Sequence, residues 1–260
     1  MIPKRIHYCW FGGNPKPKLA EKCIKSWKKY CPDYEMNEWN EDNFDISSAP
    51  LYVRQAYEAK KWAFVTDYVR LKVVYDHGGI YMDTDVELKK NLDPLLEYHA
   101  YFGFEDGVHV NTGLGFGAEK GAKILADMME VYADISFVRP DGKQDTLTCP
   151  MRNTDALVQY GMRQDNSKQT LEGDILILPS EYLCPLSYYN GIKRMTSNTV
   201  SIHHFATTWQ TEEMREKHKK AAWKNKLIEF RYNCCNFPRR VAKCLLREEH
   251  YNMLKNLFRE

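Results

Sequence analysis

The sequence predicts an α/β domain with a nucleotide-sized crevice at its strand ends, and three observations carry that prediction. The chain opens strand–helix–strand. A long helical stretch then runs through Gly78-Gly79 into a short apolar strand, and that strand ends on Asp83-Thr84-Asp85.

Residues 4–11 alternate loosely, are rich in Ile, Tyr, Trp and Phe, and stop at Gly12-Gly13-Asn14-Pro15, the pattern of a strand closed by a turn. Leu19, Cys23, Ile24 and Trp27 recur at helical spacing, and Tyr34 to Trp39 alternates as a second strand. A long helix is expected from about Ala56 to His77, with Phe64, Val65, Tyr68, Leu71, Val74 and Tyr75 as its apolar positions and Gly78-Gly79 as its stop. Ile80-Tyr81-Met82 follows as a strand that Val86-Glu87-Leu88 is expected to continue. Tyr101 to Phe104 and Gly113 to Phe116 read as strands, 120–133 and 153–163 as helices, and 174–178 and 199–204 as two late strands. After Trp209 the pattern is helical, at Met214–Arg231 and Arg239–Phe258. The expected organisation is one catalytic domain, 1–210, with a basic helical extension, 211–260, packed on or beside it.

The composition, 43% hydrophobic and 28% charged over 260 residues, excludes a disordered chain. A net charge of +2 gives no field that argues for nucleic acid. The charge is uneven, however. Residues 210–260 hold 13 Lys/Arg against 7 Asp/Glu, which leaves the body mildly acidic. No apolar run approaches the roughly 20 residues needed to span a bilayer, and the opening residues lack the apolar centre of a signal peptide. The expected location is the cytoplasm, with the eight cysteines reduced and mostly buried.

Asp83 and Asp85 fall on one side of the turn after the strand. Two carboxylates that close repel unless a cation lies between them, and hard oxygen ligands favour Mg²⁺ or Mn²⁺. Asp67 and Arg70, three apart, share a helix face. Taken alone each feature has a plain alternative, a solvated acidic loop and a surface ion pair. Their combination with the Gly-Gly strand favours a site.

With these residues in view, the sequence resembles glycosyltransferase family 32, the sugar-transferase group with a DXD motif that includes bacterial capsular-polysaccharide and yeast initiating mannosyltransferase members. It is more distantly similar to the clostridial glucosylating toxins. The resemblance rests on Ile2-Pro3-Lys4, on Ile6 to Gly12, on Asp67-x-x-Arg70, on Gly78 to Asp85, and on His203-His204-Phe205-Ala206-Thr207-Thr208-Trp209. It implies a GT-A type nucleotide-sugar-binding fold, a Rossmann-like mixed sheet with a helical C-terminal appendage, and a metal-dependent hexosyltransferase that retains anomeric configuration. It further implies that Tyr8 and Trp10 hold base and ribose, that Asp67 and Arg70 bind the donor sugar, and that Thr84 and Asn111 complete the donor set. Asp83 and Asp85 would hold the metal with His203 or His204, and Trp209 would cover the leaving phosphate. Asp67, Arg70, Asp83 and Asp85 form the expected catalytic group.

The donor is expected to be a nucleotide-diphosphate sugar, a UDP-sugar in preference to GDP-mannose. The acceptor is expected to be a glycan or lipid-linked saccharide in bacterial surface (capsular) polysaccharide synthesis. Lys217, Lys219, Lys220, Lys224 and Lys226 with Trp223, Leu227 and Phe230 suggest peripheral contact with the inner face of the membrane. Cys149 stands where relatives often carry Gly before Pro, which places the acceptor-side geometry in question. Tyr188-Tyr189 fits core packing better than sugar stacking, and His7 is expected to be structural. Two other classes compete: a haloacid-dehalogenase-like phosphatase, whose motif prefers Thr or Val where this chain has Glu87, and a non-catalytic sugar-binding protein, which gives Asp67, Arg70 and the acidic pair no reason to occur together.

Overall fold

The computed structural model describes residues 1–206 and 212–245, with side chains described through residue 230. Two compact units are present, one formed by Met1–Ser187 and Lys193–Gln210, the other by Tyr188–Ile192 and Thr211–Glu260.

The first unit is organised around a seven-stranded mixed sheet. Its strands are β1 (Arg5–Cys9), β2 (Glu35–Trp39), β3 (Gly79–Tyr81), β5 (Ala100–Gly103), β6 (Phe116–Ala118), β7 (Gln169–Leu171) and β8 (Ile175–Leu178), in the order β2-β1-β3-β6-β5-β8-β7. β1 pairs in parallel with β2 and β3, and β5 with β8; β6 and β7 run the other way. This is the mixed α/β architecture expected from the sequence.

Alternation along the strands builds a core on each face. Ile80, Met82, Tyr101, Leu176 and Leu178 join one cluster with Cys23 and Trp27 of α1 (Lys18–Tyr30). Tyr81, Phe102, Ile175 and Ile177 join the other, packed on α2 (Leu51–Glu58), α3 (Trp62–His77), α4 (Lys123–Glu130) and α5 (Cys149–Gln159). Successive strand residues point to opposite faces, so a sheet covered on both sides needs apolar residues at every position.

Three expectations are corrected here. The single helix from Ala56 to His77 is two helices, because the chain turns at Lys60, whose φ of 56° lies in the left-handed region. Val86–Leu88 does not prolong β3. It forms β4, which pairs antiparallel with β9 (Ser201–His203) in a separate two-stranded sheet after the turn at Asp83–Asp85. Gly113 to Gly115 is a turn rather than strand, with β6 beginning at Phe116. Strand β7 was not visible to periodicity, since three residues are too few to show a period.

Gly78 ends α3 with φ 65°, and a Cβ there would lie 2.9 Å from the Lys120 backbone nitrogen. A glycine is required on both counts. A short helix, α6 (Ser180–Leu183), follows β8. Among the described residues, Cys9, Cys23, Cys31, Cys149 and Cys184 are free, buried thiols, as expected.

In the second unit, α7 (Glu212–Leu245) is one continuous helix across the described residues, where two were expected. Tyr188 stacks on His218 with ring centroids 3.9 Å apart, Asn225 donates to the Tyr189 carbonyl at 3.0 Å, and Asn190 donates to Glu229 at 2.6 Å. Tyr188 is thus packed, whereas the Tyr189 side chain is 54% exposed, against the core packing expected of the pair. The part of the expected second helix beyond residue 245 lies outside the described residues. No helix among them is long and apolar enough to cross a membrane.

Candidate active site

The site forms where β3 ends and the chain turns. Asp83 follows the buried Tyr81 and Met82, and its backbone N–H donates to the Gly113 carbonyl at 3.1 Å. The Tyr81 hydroxyl donates to Asp83 Oδ1 at 3.0 Å. From α3, Arg70 reaches the same oxygen at 3.3 Å and also lies 3.3 Å from Asp67 Oδ1. Arg70 is 4% exposed and Asp67 7%, so the pair is buried rather than a surface ion pair. The guanidinium is fixed from several sides: its Nε donates to the Thr66 carbonyl at 3.0 Å, and the group lies 5.1 Å from the centre of the Tyr81 ring.

Asp85 closes the other side of the turn. Its Oδ2 accepts from the Ala206 N–H at 2.7 Å, and His203 Nε2, arriving on β9, lies 3.2 Å from Oδ1. Asp83, Asp85 and His203 each present a ligand atom within 4.8 Å of the others. His204 is turned away, with its Nε2 2.8 Å from Glu87. Of the two histidines expected to serve the metal, the structure groups His203 with the acidic pair.

The electrostatics follow from this packing. Burial pushes the Asp83 carboxyl up, Arg70 opposes it and Asp85 adds to it. Burial acts upward on Asp85 too, but His203 outweighs it and holds Asp85 down at about 2. Burial lowers the His203 imidazole, and Asp85 more than reverses this, so His203 stays charged beside Asp85. Asp67 is pushed up to about 6 by burial, against the pull of Arg70. These opposed shifts mark a cluster with more negative charge than its own cations settle comfortably.

A divalent cation fits this donor set. Two carboxylates and an imidazole in one 4.8 Å cluster are the hard-to-borderline ligands that Mg²⁺ and Mn²⁺ accept. The His203 ring is also held by the Cys184 thiol and by Phe205, whose ring centroid lies 4.3 Å away.

The remaining expected residues fall as follows. Asn111, 8% exposed, accepts from the Gly113 N–H at 2.6 Å and donates to Glu105, which sets it beside Asp83. The Tyr8 ring is buried edge-on to Trp27 at 5.5 Å and its hydroxyl donates to Glu38 at 2.9 Å, so both ring and hydroxyl proton are engaged within the protein. Trp10 is half-buried, with its indole N–H donated to Asn14 and Lys16 over its ring. Thr84 sits at the turn between the two aspartates, half-buried. Trp209 lies outside the described residues. Cys149 is buried beside two of the expected donor residues, its Sγ 3.9 Å from Arg70 Nη1 and 3.8 Å from Asn111 Oδ1.

Four contributors were missed by sequence reasoning. Tyr81 was read only as a strand residue. Glu87, two past Asp85, continues the acidic alternation and ties Lys22, Lys89 and His204 together. Glu105, at the end of an aromatic strand, gave the same signal, an acid where an apolar run stops. Gly113 gave none: a Cβ there would lie 2.1 Å from Asp83 Oδ2, a contact that only the fold reveals.

A pair of strand-end carboxylates gathered with a histidine, beside a buried Asp–Arg pair, forms a charged cluster where β3 ends. Residues 17–102 match the family described as glycosyltransferase sugar-binding region containing DXD motif. The matched stretch contains Asp67, Arg70, Asp83 and Asp85. An inositol phosphoceramide mannosyltransferase of Schizosaccharomyces pombe is 36% identical over 104 residues, 38% of this chain. That match spans 29% of the relative's own length. An uncharacterized glycosyltransferase of Acanthamoeba polyphaga mimivirus is 24% identical over 197 residues, 73% of this chain and 76% of that protein. In shape, the PaToxG glycosyltransferase is a looser likeness, with a TM-score of 0.49, 21% identity, and 61% of this chain and 68% of that one covered.

Proposed function

We propose that the chain is a metal-dependent, retaining glycosyltransferase. It moves a hexose from a nucleotide-diphosphate sugar to a glycan or lipid-linked saccharide, in the synthesis of a bacterial surface polysaccharide. The observation that carries this reading is the gathering of Asp83, Asp85 and His203 within 4.8 Å, beside the Arg70–Asp67 pair, inside a sugar-binding region of the DXD type.

The chemistry follows from the residues. Asp83 and Asp85, with His203 once its imidazole gives up its proton, would hold Mn²⁺ or Mg²⁺, and the ion would supply charge stabilisation to a departing diphosphate. Asp67 and Arg70 offer a fixed acceptor and a fixed donor for sugar hydroxyls, and a site held in place before the ligand arrives loses little on binding. In the transfer the anomeric C–O bond to phosphate breaks with its electron pair going to the diphosphate. The acceptor oxygen forms the new C–O bond on the same face, and its proton passes to the departing phosphate. No covalent enzyme intermediate is invoked.

A UDP-sugar is the first donor to test. GDP-mannose is the second, favoured by the matched relatives named as mannosyltransferases. The inositol phosphoceramide in the names of those relatives also favours a lipid-borne acceptor. On α7, Trp223 and Phe230 are about two-thirds exposed, and Lys219, Lys220, Lys224 and Lys226 flank them at helical spacing. That face supports peripheral contact with anionic lipid at the inner leaflet, which would place the protein in the cytoplasm.

Thermal unfolding with UDP, GDP, CMP and their sugars, with and without Mn²⁺, tests the reading. A ligand that binds the native state raises its apparent stability. A shift that needs both the metal and one nucleotide is expected; no shift with any of them would remove the proposal. Retention is tested by the NMR configuration of the product.

A further inference from the structure

We propose that Glu105 is the acceptor-side carboxylate of this site: one oxygen fixes the Asn111 amide and the other accepts a hydrogen bond from the hydroxyl that attacks the donor sugar. The inference rests on the transferase reading and adds a residue to it.

Glu105 follows β5, and its position is set by the backbone. Phe104 pairs with Val110 across an isolated bridge, and the Glu105 N–H donates to the His109 carbonyl at 2.7 Å. The two neighbouring acids have separate tasks. Asp106 caps the loop, accepting from the N–H groups of Val108 at 2.7 Å and His109 at 2.6 Å. Glu105 turns instead to Asn111, whose side-chain N–H donates to Oε2. Asn111 in turn accepts from the Gly113 N–H, and Gly113 lies against the Asp83 carboxylate. A line of polar groups therefore runs from the acidic pair through Gly113 and Asn111 to Glu105.

Charge separates Glu105 from the other acids of the site. Asp67 and Asp83 face Arg70, Asp85 faces His203, and Glu87 faces Lys22 and Lys89. Among the described residues no lysine, arginine or histidine forms an ion pair with Glu105, and none donates to Oε1. His203 and His109 act on it only from a distance. Glu105 is only half-buried, so Oε1 stays open to solvent and to a ligand's hydrogen-bond donor. An ionised carboxylate only accepts hydrogen bonds, so the ligand group it recognises is a donor, and a sugar hydroxyl is the donor a transferase acceptor brings.

Glu105→Gln tests this in the full chain. The variant keeps the shape and can still accept from Asn111, but loses the charge. UDP-glucose, UDP-galactose and GDP-mannose are titrated with Mn²⁺, and hydrolysis of the donor that binds is followed with water as the attacking hydroxyl. A charge-assisted hydrogen bond of about 1.5–3 kcal/mol corresponds to a roughly 10–100-fold loss. The expected result is a donor Kd within about twofold of the unaltered chain, kcat lowered by that factor, and partial recovery in Glu105→Asp. Unchanged kcat would overturn the role. So would a donor Kd that weakens in step with kcat, which would make Glu105 a donor-side residue, or a glycosyl adduct on Glu105, which would make it a nucleophile. If the unaltered chain binds none of the three donors, the transferase reading itself fails and takes this inference with it.

Discussion

His203 Nε2 lies 3.2 Å from Asp85 Oδ1, although 118 residues separate the two in sequence, because β9 brings one and the turn before β4 brings the other. Each residue sets the other's charge: the imidazole holds the carboxyl down at about 2, and the carboxyl keeps the imidazole protonated. The acidic pair is therefore already half neutralised by the protein before any ligand arrives.

Asp85→Asn should preserve the fold and remove the metal-dependent behaviour. The shape is kept, and the Ala206 N–H can still donate to the amide oxygen. Turnover is expected to fall at least ~100-fold, and the Mn²⁺-dependent thermal shift with nucleotide should vanish, since the ion loses a charged ligand. Wild-type turnover with this variant would take Asp85 out of the metal set.

Arg70→Ala should act on two observables at once. Removing the guanidinium leaves Asp67 and Asp83 without their cation. Breaking a buried pair in this way costs about 3–5 kcal/mol, which denaturant unfolding would detect. In competition binding, affinity for the nucleotide sugar should drop more than affinity for the nucleotide alone. Equal losses for both would mean that Arg70 serves the phosphates rather than the sugar.

Gly113→Ala places a methyl group where the Asp83 carboxylate and Arg70 Nη1 already lie, at 2.1 and 2.9 Å. The three nearest groups, Asp83, Arg70 and Asn111, all belong to the site. Overpacking of this kind costs about 1–3 kcal/mol. Donor affinity, measured by titration calorimetry, should fall together with stability. A variant that binds donor normally would show the cleft to be more pliant than the packing indicates.

His7 predicts a pH dependence of stability away from the site. Its Nε2 lies 2.9 Å from the Gly78 carbonyl and its Nδ1 accepts from the Trp39 indole at 3.0 Å, an arrangement that requires the neutral ring. Burial lowers its pKa from 6.5 to about 4. Between those values the unfolded chain binds the proton and the folded chain does not. The contribution is thus fully present above pH 6.5 and is lost as pH falls toward and through 4, to a total of about 3 kcal/mol. Urea unfolding of the unaltered chain and of His7→Gln should diverge at neutral pH and converge on acidification.

How much of this was legible in the sequence depends on the range of the interaction. The strand–helix–strand opening, the Gly78 stop and the strand before Asp83 are local patterns, and all were read correctly. The split at Lys60 was hidden because a left-handed residue leaves no trace in apolar spacing. The pairing of Asp85 with His203 could be stated only as a choice between two histidines, since sequence cannot say which face of a three-residue strand points into a cleft. Gly113 was out of reach altogether, and Cys149 was visible only as a departure from the family pattern: the place of each depends on what lies next to it, across 30 and 79 residues from Asp83 and Arg70 respectively.

The pairing of β4 with β9 also orders events during synthesis. A nascent chain that has emerged through β8 already contains every strand of the seven-stranded sheet, yet its acidic pair still lacks a histidine. Closing so long a loop is among the slower steps of folding. Until the ribosome has delivered residues 201–203, the growing polypeptide holds its Asp-x-Asp turn without the strand that finishes it, so a chain released early would carry most of the scaffold and an unfinished site.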